Sequence, residues 1–141
     1  MSMDERLIGT WRLLSVQVEM QDTGEVSNEW EGQPQGSLVI TPEGRLITVT
    51  TAPDRIAPST DADAAALLVN MVCYSGRVRL DGPGRFVTHV DVAWHPSWLG
   101  TEQSRNFSIS GDILSVRTDP LHHPAYPGRV VSHMLVWQRE A

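Results

Sequence analysis

Residues Arg85 to Ile109 read RFVTHVDVAWHPSWLGTEQSRNFSI, two runs of alternating character joined by a Pro/Trp/Gly turn. Alternate residues of a strand share a face. In the first run His89 and Asp91 fall with Val87 and Ala93, opposite Phe86, Thr88, Val90, Val92 and Trp94. In the second, Glu102, Ser104, Asn106, Ser108 and Ser110 make a wholly polar face, so Thr101, Gln103, Arg105, Phe107 and Ile109 point inward. The inner face of this hairpin thus carries a guanidinium and an amide among apolar groups. A bare polar group is expensive to bury, so these side chains require partners or a cavity. The pattern points to a pocket rather than a solid core.

Working outward, the same period recurs on both sides. Leu7–Met20 alternates over most of its length, although its facing is ambiguous. Asp22-Thr23-Gly24 is a turn signal, and residues 25–35 are a polar loop with Trp30 as an exposed or rim-lying aromatic. Ser37–Thr41 and Arg45–Thr51 form a hairpin around Thr41-Pro42-Glu43-Gly44. Asp61–Met71 is the one persuasive helix, with Ser59 or Thr60 as N-cap and Asp61 and Asp63 in its first turn. Its Leu67, Leu68 and Met71 must be covered by the barrel or by a homodimer contact. Tyr74–Leu80 is a strand with Tyr74, Gly76, Val78 and Leu80 on its apolar face. Ile113–Thr118 and Val130–Arg139 complete the set around a 119–129 loop, and Val131, His133, Leu135 and Trp137 share a face of the last strand. About eight to ten strands at hairpin spacing with one short helix predict an all-β, antiparallel up-and-down barrel. A closed barrel near that size holds side chains or one small ligand.

Composition narrows the chemistry. With 141 residues, 9 Pro and 11 Gly, residues 1–141 are read as a single domain, rich in turns. A formal charge of -6 excludes the basic patches that nucleic acid or an anionic membrane would require. All 11 basic residues are Arg, so lysine Schiff-base chemistry is excluded. The lone Cys73 rules out an internal disulfide and thiolate-rich metal sites. His122, His123 and His95 lack the spacing of a metal site, no phosphate-binding or nucleophile motif appears, and no cofactor is expected. The N-terminus has no apolar targeting run, and a soluble cytoplasmic chain is expected.

Several stretches in order resemble the bacterial and fungal lipocalin-like domain family. They are Leu7-Ile8-Gly9-Thr10-Trp11-Arg12-Leu13, Thr41-Pro42-Glu43-Gly44-Arg45, Tyr74-Ser75-Gly76, and His89 with the Pro96–Gln103 turn, Arg105 and Phe107. Gly9-Thr10-Trp11 and Arg139 also resemble the Gly-x-Trp and late Arg of true lipocalins, in which the Arg packs over the Trp at the closed end. The resemblance implies a calycin-type barrel around a small-molecule cavity and leaves the activity open. Unlike secreted lipocalins, the chain shows no signal peptide and no disulfide pair.

The expected ligand is a small, largely apolar molecule with a carbonyl, enol or carboxylate end. Tyr74, His89, Trp94, Gln103, Arg105, Phe107, His133 and Trp137 are the candidate binding residues, with Trp98 either beside them or packed over the barrel end. Three readings stand side by side. In the first the barrel only binds. In the second it is a cofactor-free isomerase or cyclase, His89 and Asp91 shuttling a proton while Arg105 steadies negative charge. In the third the barrel is filled solid by side chains and serves as an interaction module. For the polar group itself, the alternative to a site is an internal Arg105–Asp91 ion pair that pins two strands together.

Overall fold

The computed structural model describes residues 4–140. In chain order these form β1 (Gly9–Met20), β2 (Val26–Asn28), β3 (Gln35–Ile40), β4 (Arg45–Thr51), α1 (Asp61–Val69), β5 (Met71–Leu80), β6 (Arg85–Ala93), β7 (Glu102–Ser110), β8 (Ile113–Thr118), β9 (Leu121–His122) and β10 (Val130–Arg139). Eight strands pair antiparallel in the order β1-β3-β4-β5-β6-β7-β8-β10, and β10 returns to β1, closing the barrel. The short β2 and β9 extend β1 and β10. Both lie in segments expected to be loop. The helix also ends earlier than its Ala/Leu run suggested. Asn70 caps it and Met71 pairs with Thr51, so the β4–β5 ladder takes over the last turn.

Two bulges set which residues face inward. In β1 the pairing shifts between Leu13 and Ser15, which leaves Leu14 as the extra residue. Trp11 and Leu13 are buried before the bulge, Val16 and Val18 after it. That switch explains the ambiguous facing of Leu7–Met20, since a bulge inserts one residue and breaks the two-residue period. In β6, Gly76 and Ser75 oppose Val90 and Val92, leaving Asp91 as the extra residue. Phe86, Thr88 and Val90 are buried, whereas Val92 is 62% exposed.

The two ends of the barrel differ. At one end the connections are tight turns at 41–44, 81–84 and 111–112, and the core is plugged. Trp11 is fully buried there and its indole N–H donates to the Leu7 carbonyl at 3.0 Å. The Arg139 guanidinium lies 4.2 Å from the Trp11 ring centre and donates to the Ile8 carbonyl at 2.8 Å and to the Arg6 carbonyl. Gly9 makes this possible: its φ is +136° and a Cβ would sit 2.8 Å from Arg139 Nη1. The resemblance to the closed end of lipocalins is therefore realised in three dimensions.

At the other end lie the long connections 21–34, 52–70, 94–101 and 119–129. Helix α1 is held at this rim by its ends rather than by an apolar face. Thr60 accepts from the Asp63 N–H at 3.0 Å, and the Asp63 carboxylate accepts from Ser59. At its C-terminus Trp94 Nε1 donates to the Leu68 carbonyl at 2.8 Å and Arg55 to the Leu67 carbonyl at 3.0 Å. None of the helix residues is buried, and Leu68 is 42% exposed. Leu67 and Met71 are half-buried, and Leu68 is left exposed. No helix among the described residues is long and apolar enough to cross a membrane.

Candidate functional site

The barrel is not filled. A cavity of about 70 Å³ runs inward from the open end. A single water needs roughly 10–15 Å³ on this measure, so the space takes more than one water. Its deep wall is apolar, made by Leu38, Leu46, Phe86, Val116 and Trp137 from five different strands. Polar groups enter from two directions. Arg105 and Tyr74 reach in from β7 and β5, and Glu29, His123 and His133 gather at the mouth.

Arg105 is 7% exposed. Its Nη2 donates to the Tyr74 hydroxyl at 3.2 Å, and Nη1 donates to the Ser104 carbonyl at 2.9 Å, with Gln103 Oε1 at 3.5 Å. Every one of these acceptors is neutral. The Asp91 carboxylate, expected as a partner, instead pairs with Arg45 at 2.7 Å on the outer wall, where it is 41% exposed. His89 is likewise outside, 53% exposed and 3.4 Å from Glu102. Neither residue reaches the cavity, and the expected inward His/Asp/Arg group does not assemble. The cause is local. Phe86, Thr88 and Val90 take the inward positions of β6, His89 lies between two of them, and the bulge at Asp91 resets the period.

The other sequence candidates divide cleanly. Tyr74, His133 and Trp137 line the cavity with Arg105. Gln103 stands behind Arg105, its amide donating to Thr101 Oγ1 at 2.8 Å. Phe107 packs on Phe86 at 5.7 Å between ring centres. Trp94 supports Trp98 edge-on at 5.2 Å. Trp98 itself is buried, lines the cavity and packs against Tyr74 at 5.3 Å. His95 fixes this turn by accepting from the Ser97 N–H at 3.2 Å.

The mouth holds groups that periodicity alone could not find. Glu29 Oε2 lies 3.1 Å from His133 Nε2 and accepts from the Tyr126 hydroxyl at 2.7 Å; the side chains of Glu29 and His133 are 5% and 9% exposed. Burial alone would raise the Glu29 carboxyl. The hydrogen bond and charge of His133, with the Tyr126 bond, outweigh it and hold the group below the usual carboxylate range. Burial, then the same carboxylate, pushes the Tyr126 phenol well up. His123 packs on His133 at 5.0 Å between ring centres, and its Nδ1 accepts from the Ala125 N–H at 3.0 Å. Burial, with His133 adding to it, pushes the His123 pKa down to about 4, so this imidazole is neutral near pH 7. Its chain neighbour His122 is exposed. The signal for His123 and Tyr126 was compositional: two His and a Tyr in a Pro-rich loop, the kind of segment that carries function. Glu29 had no such signal.

Among known proteins, the 4'-hydroxy-3'-methoxypropiophenone carrier protein ppsC of Aspergillus oryzae is 29% identical over 87 residues, covering 57% of this chain and 77% of the relative. The solved structure of EF1p2_mFAP2b bound to DFHBI superposes with a TM-score of 0.51 at 15% identity, covering 96% of this chain and 95% of that one, which is a likeness of fold. Residues 8–140 match the lipocalin-like domain, and the chain belongs to that family.

Proposed function

We propose that the protein binds a small, largely apolar molecule in the barrel cavity, with the molecule's carbonyl, enol or carboxylate oxygen held by Arg105 and Tyr74. One observation carries this reading. A nine-tenths-buried guanidinium faces a cavity with no carboxylate partner among the described residues. Taking such a charge out of water costs several kcal/mol unless it is compensated. An oxygen of the ligand supplies the missing acceptor, and the Tyr74 hydroxyl, already accepting from Arg105, has its own proton to donate to the same atom. The apolar wall and the Trp98 and Trp137 rings suit an aryl or alkyl body. The Aspergillus relative is named for an aryl ketone, which has this division into a flat apolar body and one carbonyl. An open cavity of this kind fits poorly with a filled-core interaction module.

Tryptophan quenching tests the reading with 4'-hydroxy-3'-methoxypropiophenone and its analogue in which the carbonyl is a methylene. The ketone is expected to bind, and the analogue to bind about tenfold more weakly or worse, the worth of a hydrogen bond to a charged group. Arg105→Met should erase most of that difference. Equal affinity of wild type and R105M for the ketone, with both folded, removes Arg105 from the site.

A further inference from the structure

We infer that Glu29 and His133 make this cavity a proton-transfer site, with His133 as general base toward the carbon next to the carbonyl of the bound ketone. The inference rests on the binding mode just proposed and adds a reaction to it.

The geometry of the pair fixes the chemistry. His133 Nε2 meets Glu29 Oε2 at 3.1 Å, and a carboxylate only accepts, so the neutral form of the imidazole, the one that can act as a base, carries its proton on Nε2. The lone pair is then on Nδ1, which has no hydrogen-bond partner among the described residues. That atom is not sealed away either, because the one enclosed side-chain polar atom lacking a partner there is Thr88 Oγ1. His133 is 7% exposed and is one of the residues lining the cavity, so the accessible surface left to Nδ1 belongs to a cavity-lining side chain. Tyr126 donates to the same Glu29 oxygen and packs beside His133, which holds the carboxylate in place.

The fold also sets base and oxygen-binding groups side by side. Arg105 on β7 is directly opposite Thr118 on β8, and Thr118 Oγ1 accepts from the His133 N–H on β10 at 2.9 Å. The three residues form one row across adjacent strands. Two strand spacings put the Arg105 and His133 backbones about 10 Å apart, and both residues line the same cavity, with Thr118 in the row between them. In the proposed binding mode, a ketone whose oxygen lies against Arg105 and Tyr74 would present its neighbouring carbon to the part of the cavity lined by His133.

The step is self-contained. The C–H bond breaks and its proton goes to His133 Nδ1. The electron pair forms a carbon–carbon double bond while the carbonyl π pair moves onto oxygen. The resulting enolate oxygen is held by the Arg105 guanidinium and the Tyr74 hydroxyl, and the new imidazolium lies against the Glu29 carboxylate. Return of the proton regenerates the ketone, and no other reactant is needed. His133 would be the catalytic residue and Glu29 a positioning residue that selects its tautomer.

The test is deuterium uptake at the α-methylene of 4'-hydroxy-3'-methoxypropiophenone in D2O, followed by NMR, with affinity measured in the same samples. Wild type should accelerate exchange over buffer by about a hundredfold. His133→Gln and Glu29→Gln should each lose most of that acceleration while the ketone still binds, a split that a merely structural role would not produce. Melting curves establish that each variant is folded, and either folded variant decides. Binding without exchange above buffer overturns this inference and leaves the binding mode standing, as does exchange that persists in a folded variant. Failure of the ketone to bind overturns both.

Discussion

Arg105 shows how function separates from stability at a single residue. Its guanidinium is satisfied only by neutral oxygens, so the folded, ligand-free protein carries part of the cost of burying it. Even whole buried ion pairs can often be replaced by well-packed hydrophobic groups of similar volume with neutral or stabilising effect, and Arg105 lacks a charged partner among the described residues to compensate its burial. The Arg105→Met variant should therefore melt at or above the wild-type temperature while losing affinity for the ketone, a combination that scanning calorimetry and quenching titration would show together. His123 gives a second residue-level expectation. Its folded pKa of about 4 lies below the ordinary 6.5, so the unfolded chain takes up the proton first. Stability should accordingly fall as pH drops from 6.5 toward 4, and the lowered Glu29 carboxyl adds a further loss below its ordinary 4.5. In His123→Gln, urea midpoints across that range should lose most of the slope between pH 6.5 and 4; an unaltered slope would remove His123 as its source. Sequence reading reached these residues unevenly. Arg105 was legible because the opposite face of β7 is wholly polar, which leaves one way to orient the strand. Glu29 and His123 come from loops, where no period exists to say which side chain turns inward.

At the level of elements, the β6 bulge decides what the cavity contains. An extra residue at Asp91 sends Val92 to solvent and carries Asp91 to Arg45 outside the barrel. Gly76 on β5 permits this close approach: a Cβ there would lie 2.0 Å from the His89 carbonyl oxygen and 2.7 Å from its carbon. Those are backbone atoms, so relief requires the β5–β6 ladder itself to shift. Gly76→Ala should cost about 3 kcal/mol or more, at the upper end of overpacking penalties, and should lower the urea midpoint accordingly. A midpoint within error of wild type would mean that β6 moves freely and that the bulge is not rigid. The strands themselves were legible from alternation and turn residues, since the hairpin spacing survives small errors at the ends. Bulges were not legible. They depend on how two strands meet, and Gly76 in isolation reads as an ordinary member of an apolar face.

On the scale of the whole barrel, stability and binding occupy opposite ends. Tight turns, Trp11 and Arg139 close one end, while long connections and the Glu29–His133–Tyr126 cluster surround the other. Strands β1 and β10 run the full distance between them, pairing from Trp11 with Arg139 at the closed end to Met20 with Val131 at the open end. The cavity is lined by neither Trp11 nor Arg139. Removing the closing guanidinium should thus weaken the fold without altering the ligand's surroundings. In Arg139→Ala the lost stacking on Trp11 and the hydrogen bonds to the Ile8 and Arg6 carbonyls together amount to about 2–4 kcal/mol. Urea denaturation should show a lower midpoint at an unchanged slope, and ketone affinity measured well below the transition should match wild type. A fall in affinity matching the loss of stability would show that the two ends are coupled through the strands. The cavity would then owe its shape to the plug as well as to its own walls.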